Sequence, residues 1–200
     1  MANYFRTLVT LLTFLEIHKN RLIIRVETLT KIHIIGAPGS GKTYVAKKLS
    51  KRLKIPMISL DSLFWDFESS YQGSQTPPAK RDQQLKQAIG NEKWVVEGVY
   101  YRWVEQSFNR ADYIIVLKTN VHIRRWRIIK SFLLRRLRLR PSIRRETFRT
   151  LLDLLEWNNR YDAHDLVEAV KLLKSYNDKV IILTKNKDIY KLLRRKNTYK

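Results

Sequence analysis

Gly36-Ala37-Pro38-Gly39-Ser40-Gly41-Lys42-Thr43 has the form GxxxxGK[ST], a spacing in which glycines let the backbone wrap an anion while successive N–H groups point inward. In that arrangement the Lys42 ammonium reaches the β- and γ-phosphates of a nucleoside triphosphate, and the Thr43 hydroxyl is offered to Mg²⁺. Such a match arises by accident in roughly one chain in a hundred of this length, so the flanks decide the matter. Lys31-Ile32-His33-Ile34-Ile35 enters the loop as a β-branched run of the kind that forms a buried strand, and Val45, Ala46, Leu49 and Leu53 follow it at helical spacing. Strand, Gly-rich turn and helix N-terminus together make an anion site, because the helix's unpaired N–H groups and its dipole face the ligand. The expected phosphate-contacting set is Gly36, Ala37, Pro38, Gly39, Ser40, Gly41, Lys42, Thr43 and Tyr44.

Working outward, further apolar runs recur. Ile55-Pro56-Met57-Ile58-Ser59-Leu60 reads as a second strand ending at Asp61, Trp94-Val95-Val96 as a third stopping at Glu97-Gly98, Tyr113-Ile114-Ile115-Val116-Leu117 as a fourth and Lys179-Val180-Ile181-Ile182-Leu183 as a fifth. Helical patterns fill the gaps at 79–89, where Pro77-Pro78 supplies the start, at 123–137, at 144–157 after a break at Pro141, at 164–176 and at 189–195. Short apolar strands alternating with helices predict an α/β three-layer sandwich, a five-stranded parallel sheet with helices on both faces. The organisation expected is an N-terminal extension, 1–30, and one domain, 31–196, with a mobile segment at 68–92 and a basic, lid-like segment at 124–149.

Composition sets bounds on the chemistry. Two hundred residues with 44% hydrophobic content suffice for one domain with a substantial core. The absence of cysteine excludes disulfides and thiolate metal sites, and His18, His33, His122 and His164 show no ligand spacing. The run Leu8-Val9-Thr10-Leu11-Leu12-Thr13-Phe14-Leu15 is short for a membrane span and is followed by no small-residue cleavage site, which leads to the expectation of a cytoplasmic protein. Leu22-Ile23-Ile24-Arg25-Val26 reads as an accessory strand.

Forty Lys and Arg against eighteen Asp and Glu give a formal charge of +22, which attracts polyanions of any kind and predicts nonspecific affinity for nucleic acid. Between residues 124 and 149 stand ten arginines and one lysine against the single acid Glu146. Such a block reads as a nucleic-acid patch, a membrane-surface helix, a phosphate-gripping lid or a solvated face. A solvated face is the plain reading for most of these arginines, and the lid for a few.

In open parallel sheets ligands bind beyond the carboxyl ends of the strands. Asp61 and Glu97 both fall there, beside the phosphate loop. Phosphoryl transfer needs a carboxylate to organise Mg²⁺, one to orient the accepting hydroxyl, and cations to neutralise the transferring group. The two acids can fill both carboxylate roles, and Trp65, Tyr100 and Trp103 can form an aromatic wall for a base or sugar.

Four blocks occur in order: the loop at 36–43, Leu60-Asp61-Ser62-Leu63-Phe64-Trp65, Trp94-Val95-Val96-Glu97-Gly98-Val99-Tyr100, and Ala111-Asp112-Tyr113-Ile114-Ile115-Val116-Leu117. Together they resemble the bacterial DNA topology modulation (FlaR-like) proteins, P-loop NTPases related to adenylate and shikimate kinases. The resemblance covers roughly 31–193. It implies an adenylate-kinase-like core with ATP on the loop, Mg²⁺ as its metal, and a second substrate at the ends of the second and third strands. Asp61 falls where shikimate-kinase relatives place an acid near Mg²⁺ and the acceptor hydroxyl. Glu97-Gly98 falls where nucleoside monophosphate kinases carry Asp-Gly followed by an arginine for the acceptor's phosphate; here that position is Tyr101, with Arg102 next. Arg127 takes the place of an ATP-contacting arginine on the helix before the lid, although its usual companion four residues on is Ser131. Arg135, Arg136, Arg138 and Arg140 become candidate lid arginines, and residues 185–188 lie where relatives hold adenine through the main chain. The implied activity is transfer of the ATP γ-phosphoryl group to a nucleotide, nucleoside or other small hydroxylated acceptor; the alternative is a nucleic-acid-associated ATPase. The implied roles are catalytic for Lys42, Asp61 and Arg127, metal-holding for Thr43, Glu97 and Asp61, and acceptor-binding for Asp61, Trp65, Glu97 and Arg102.

Overall fold

The computed structural model describes residues 30–66, 74–139 and 147–190. The extension before residue 30 with the strand expected at 22–26, the polar stretch at 68–73, Arg140 and the part beyond 190 of the helix expected at 189–195 lie outside the described residues. Chain order is β1 (Lys31–Gly36), α1 (Lys42–Leu53), β2 (Met57–Ser59), α2 (Leu60–Phe64), the small antiparallel pair β3 (Trp65–Asp66) and β4 (Ser74–Gln75), and α3 (Pro78–Ala88). Then come β5 (Trp94–Gly98), α4 (Glu105–Arg110), β6 (Tyr113–Leu117), α5 (Val121–Arg136), α6 (Phe148–Arg160), α7 (Asp165–Leu173) and β7 (Val180–Leu183). Five of the strands form one parallel sheet in the order β2-β5-β1-β6-β7, which is the α/β architecture expected.

Alternation along each strand divides the core in two. Ile32, Ile34, Val95, Ile115, Leu117, Ile181 and Leu183 face α1, where Val45, Ala46 and Leu49 meet them. Ile35, Val96, Ile114, Val116, Val180 and Ile182 face the other way, onto Leu60, Leu85, Phe108, Tyr161, Leu166 and Val170. Burial on both faces explains why the strands read as continuous apolar runs. Each fully buried Ile, Leu or Val contributes about 1.5–3 kcal/mol. His33 lies in the second core, wholly buried, its ring 4.5 Å from that of Phe108 and its Nδ1 2.8 Å from Ser107 Oγ. Among the described residues no helix is long and apolar enough to cross a membrane.

Three boundaries differ from the sequence reading. The second strand is only three residues long, because the chain turns at Leu60 into α2, leaving Asp61 in the first turn of a short helix rather than at a strand end. Glu97 is part of β5, not a residue after it, and pairs in register with Ile34 on one side and Ser59 on the other. α4 was not anticipated: it is six residues long and buries only Ser107 and Phe108. The start at Pro78 does open α3 as expected.

Candidate active site

Gly39 and Gly41 adopt φ of 72° and 94°, the left-handed region that glycine enters without penalty. Space enforces the same choice. A Cβ at Gly39 would stand 2.6 Å from the Arg124 carbonyl oxygen, and one at Gly41 would run into the Asn186 carboxamide. Within the loop the Ala37 carbonyl accepts from the Ser40 N–H at 3.1 Å and from Lys42 Nζ at 3.0 Å. The Ser40 carbonyl accepts from Thr119 Oγ1 at 3.1 Å and Arg127 Nη1 at 3.0 Å, and Arg127 also reaches the Gly39 carbonyl at 3.3 Å. The turn after β6 and α5 thus hold the loop from outside.

Lys42 is buried, which pushes its ammonium pKa down; the Glu97 and Asp61 carboxylates oppose that and Arg124 adds to it. Glu97 is also buried. Desolvation raises its pKa, countered chiefly by Lys42 and by hydrogen bonds from Ser59 and Thr43, the Thr43 hydroxyl donating to Oε1 at 3.1 Å. Asp61 is exposed and accepts from Tyr100 Oη at 2.9 Å. The structure therefore gathers Lys42, Thr43, Glu97 and Asp61 around one loop. An ammonium beside a hydroxyl and a carboxylate is a donor set suited to a phosphate chain and to a hard cation such as Mg²⁺, which is held by few protein oxygens plus phosphate and water.

On the other side of the loop a cleft of ≈ 530 Å³ is lined by Gly41, Tyr44, Thr119, Ile123, Arg127 and residues 184–187. Asn186 packs on Gly41, and the Tyr44 hydroxyl meets that of Tyr190 at 3.2 Å. Residues 184–187 and Arg127 thus both border the loop.

Beyond Asp61 the aromatic wall is present but is built around Phe64. The Phe64 ring stacks on Tyr100 at 4.7 Å and lies 6.3 Å from Trp103, while Trp65 meets Phe64 edge-on at 5.1 Å. Arg102 is largely exposed and donates to Glu168 at 2.7 Å, a pairing that holds the Glu168 carboxyl below its ordinary pKa; the Tyr101 hydroxyl donates to the same oxygen. Arg135 donates to Ser131 Oγ at 2.6 Å.

Several residues at the site escaped sequence reasoning. Arg81 lies over Trp103, its guanidinium carbon 4.3 Å from the ring centroid. Arg124, counted among the basic block, is wholly buried, forked onto Asp162 at 2.7 and 3.0 Å and bonded to the Asn158 carbonyl. Asn186 lies in the 185–188 stretch that the resemblance singles out, but its side-chain contact with Gly41, far along the chain, carries no signal in sequence. Phe64 was inside a quoted block, and its position one turn after Asp61 was the available clue.

Residues 32–148 match the family described as an AAA domain. The chain is similar to the cytidylate kinase of Pyrobaculum islandicum, 32% identical over 168 residues and covering 76% of this chain and 89% of that one. It is also similar to the cytidylate kinase of Pyrobaculum neutrophilum, 30% identical over 154 residues and covering 68% and 78%. Among solved structures it resembles the shikimate kinase from Bacteroides thetaiotaomicron, with a TM-score of 0.45, 17% identity, and coverage of 82% of this chain and 92% of that one. With its loop at 36–43 falling inside the matched region, this chain belongs to the AAA-domain family of P-loop proteins and is a distant homologue of the cytidylate kinases.

Proposed function

We propose that this protein is an ATP-dependent small-molecule kinase that transfers the γ-phosphoryl group to a nucleotide, nucleoside or other small hydroxylated acceptor. The observation that carries the reading is the convergence of Lys42, Thr43, Glu97 and Asp61 on one glycine-rich loop. Lys42 and the loop N–H groups hold the β- and γ-phosphates, the 184–187 side of the cleft takes the nucleoside, and Arg127 stands beside the phosphates. Thr43 and Glu97 hold Mg²⁺, which when bound neutralises phosphate charge. Asp61, on α2, orients the acceptor hydroxyl and takes its proton as the new O–P bond forms and the bond to the β-phosphate oxygen breaks. The Phe64, Tyr100 and Trp103 rings flank the acceptor, with Trp65 and Arg102 farther along the same rim.

The four sequence blocks support a narrower membership, among the DNA topology modulation (FlaR-like) proteins, and the +22 charge motivates a second reading as a nucleic-acid-associated ATPase. One experiment separates the two. Purified protein is incubated with ATP and Mg²⁺ against a panel of nucleosides, nucleotides and hydroxylated metabolites, and separately with duplex DNA at physiological ionic strength. Acceptor-dependent ADP formation with a phosphorylated product is expected. ATP hydrolysis stimulated only by DNA, or ATP bound and left unaltered across the whole panel, refutes the kinase reading. Gel shifts at low salt decide nothing, because nonspecific binding falls steeply as salt rises.

A further inference from the structure

Only Arg124, Ile128 and Phe132 of α5 are buried. On its outward side Ile123, Trp126, Ile129, Leu133 and Leu137 are all exposed, Trp126 by 60% and Leu137 by 66%. Spacings of three and four residues set them in one stripe, roughly 20 Å long at 1.5 Å per residue. The exposed residues between and just beyond them are His122, Lys130, Arg136, Arg138 and Leu139, and Lys130 Nζ lies 4.7 Å over the Trp126 ring. From residue 113 to 145 the chain has eleven Lys and Arg and not one Asp or Glu. Ile123 also borders the cleft beside Gly41; a solvated face accounts for the cations but not for the other four large apolar side chains left in water.

We propose that this face of α5 docks on the surface of an anionic phospholipid bilayer, with Trp126, Leu133 and Leu137 entering the headgroup region and the flanking cations meeting lipid phosphates. Apolar and aromatic residues on one face with Lys and Arg beside them are the composition of a helix lying in a membrane interface, and each cation near such a surface adds to the attraction. A nucleic acid would reward the cations and leave the aliphatic stripe without a partner. A second copy of this face would set a helix with six cations and no acid against itself. The proposal is independent of phosphoryl transfer.

The test uses the full chain at about 0.15 M salt with vesicles of phosphatidylcholine, alone or mixed roughly two to one with phosphatidylglycerol. Co-sedimentation is expected with the anionic vesicles and little with the neutral ones. The emission of Trp126, taken as the difference between wild type and Trp126→Phe, shifts to the blue on binding. Leu133→Ser with Leu137→Ser leaves every cation in place, and is expected to weaken binding on the order of tenfold or more with thermal stability unchanged. Four outcomes overturn the proposal. The double variant binds as well as wild type, so charge alone acts. Trp126 emits in the blue without vesicles, so another part of the chain covers the face. A dimer forms that the double variant dissolves, so a second copy is the occupant. Duplex DNA is held at this salt and lost in the leucine variant, so the partner is a nucleic acid.

Discussion

Gly98 tests the link between packing and chemistry, because the residue after Glu97 is where β5 passes beneath the helix carrying Asp61. A Cβ at position 98 would stand 2.7 Å from both Cβ and Cδ1 of Leu60. Leu60 is fully buried at the start of α2, and its Cβ cannot swing away as a side-chain tip can. Gly98→Ala therefore requires α2 to move by several tenths of an ångström. Overpacking of this kind costs about 1–3 kcal/mol, and in a domain of this size each kcal/mol lowers Tm by about 2–4 °C. Under the proposed mechanism the rate falls as well: Asp61 follows Leu60 directly, and since 1 Å at a reacting group costs on the order of 100-fold, a shift of several tenths of an ångström should lower kcat by about tenfold. Adding Leu60→Ala removes Cγ and Cδ1 but keeps the Cβ contact, so the double variant is relieved only in part and is less destabilised than the sum of the two single changes. Thermal denaturation and kcat with the best acceptor give both readouts. If Gly98→Ala melts with wild type and turns over at its rate, α2 is not packed on β5 as described and the placement of Asp61 fails with it.

Asp61→Asn is expected to remove phosphoryl transfer while ATP affinity by calorimetry stays within about twofold, since Asp61 borders the loop without forming it; an active variant takes Asp61 out of the mechanism. Burial holds the His33 pKa at about 3, below its unfolded value of about 6.5. Between these values the unfolded chain binds a proton that the folded one does not, so stability is full above pH 6.5 and falls by about 1.4 kcal/mol per pH unit below it. Urea denaturation should therefore show a loss of about 2 kcal/mol from pH 7 to pH 5, and His33→Gln should flatten that slope. Arg124→Ala leaves Asp162 and the buried Asn158 carbonyl without their donor and should cost about 2–4 kcal/mol, visible as a lower urea midpoint; a surface-like change below about 0.5 kcal/mol contradicts the buried fork.

The five strands were legible because each is buried on both faces and so writes itself as an uninterrupted apolar run. The loop was legible because its geometry depends on residue types at fixed spacing. What sequence misplaced depends on contacts between distant segments. Nothing local ends the second strand at Ser59; the close approach of Leu60 to Gly98, 38 positions later, fixes the turn into α2. Glu97 looks like a residue past a strand because a carboxylate does not belong in a central one. It is accommodated in β5 because Thr43 and Ser59 donate to it from two neighbouring elements. Arg102 is bound to Glu168, 66 positions away, a partner that no local pattern announces. The basic block was read as one property, yet its members divide between a buried fork at Arg124, a loop clamp at Arg127 and an outward face from Lys130 onward.

The two halves of the site are held by interactions of different strength. On the nucleotide side the loop carbonyls are fixed from behind: Ser40 O is taken by Thr119 and Arg127. In a trans peptide the N–H points opposite to the preceding carbonyl, so this contact turns the Gly41 N–H away from α5. Lys42 and Glu97 are buried around it, where uncovering or moving a charge costs several kcal/mol. On the proposed acceptor side Arg81 is mostly covered and also lies over Trp103, but Arg102 is held by a pair open to water, with Glu168. Exposed pairs of that kind are worth about 0–1 kcal/mol. A substrate anion can draw such a cation from its partner at little cost, while no ligand can rearrange the loop so cheaply. Under the proposed kinase reading, a site built this way keeps one phosphate donor and leaves its acceptor to be chosen by the side chains that move most easily.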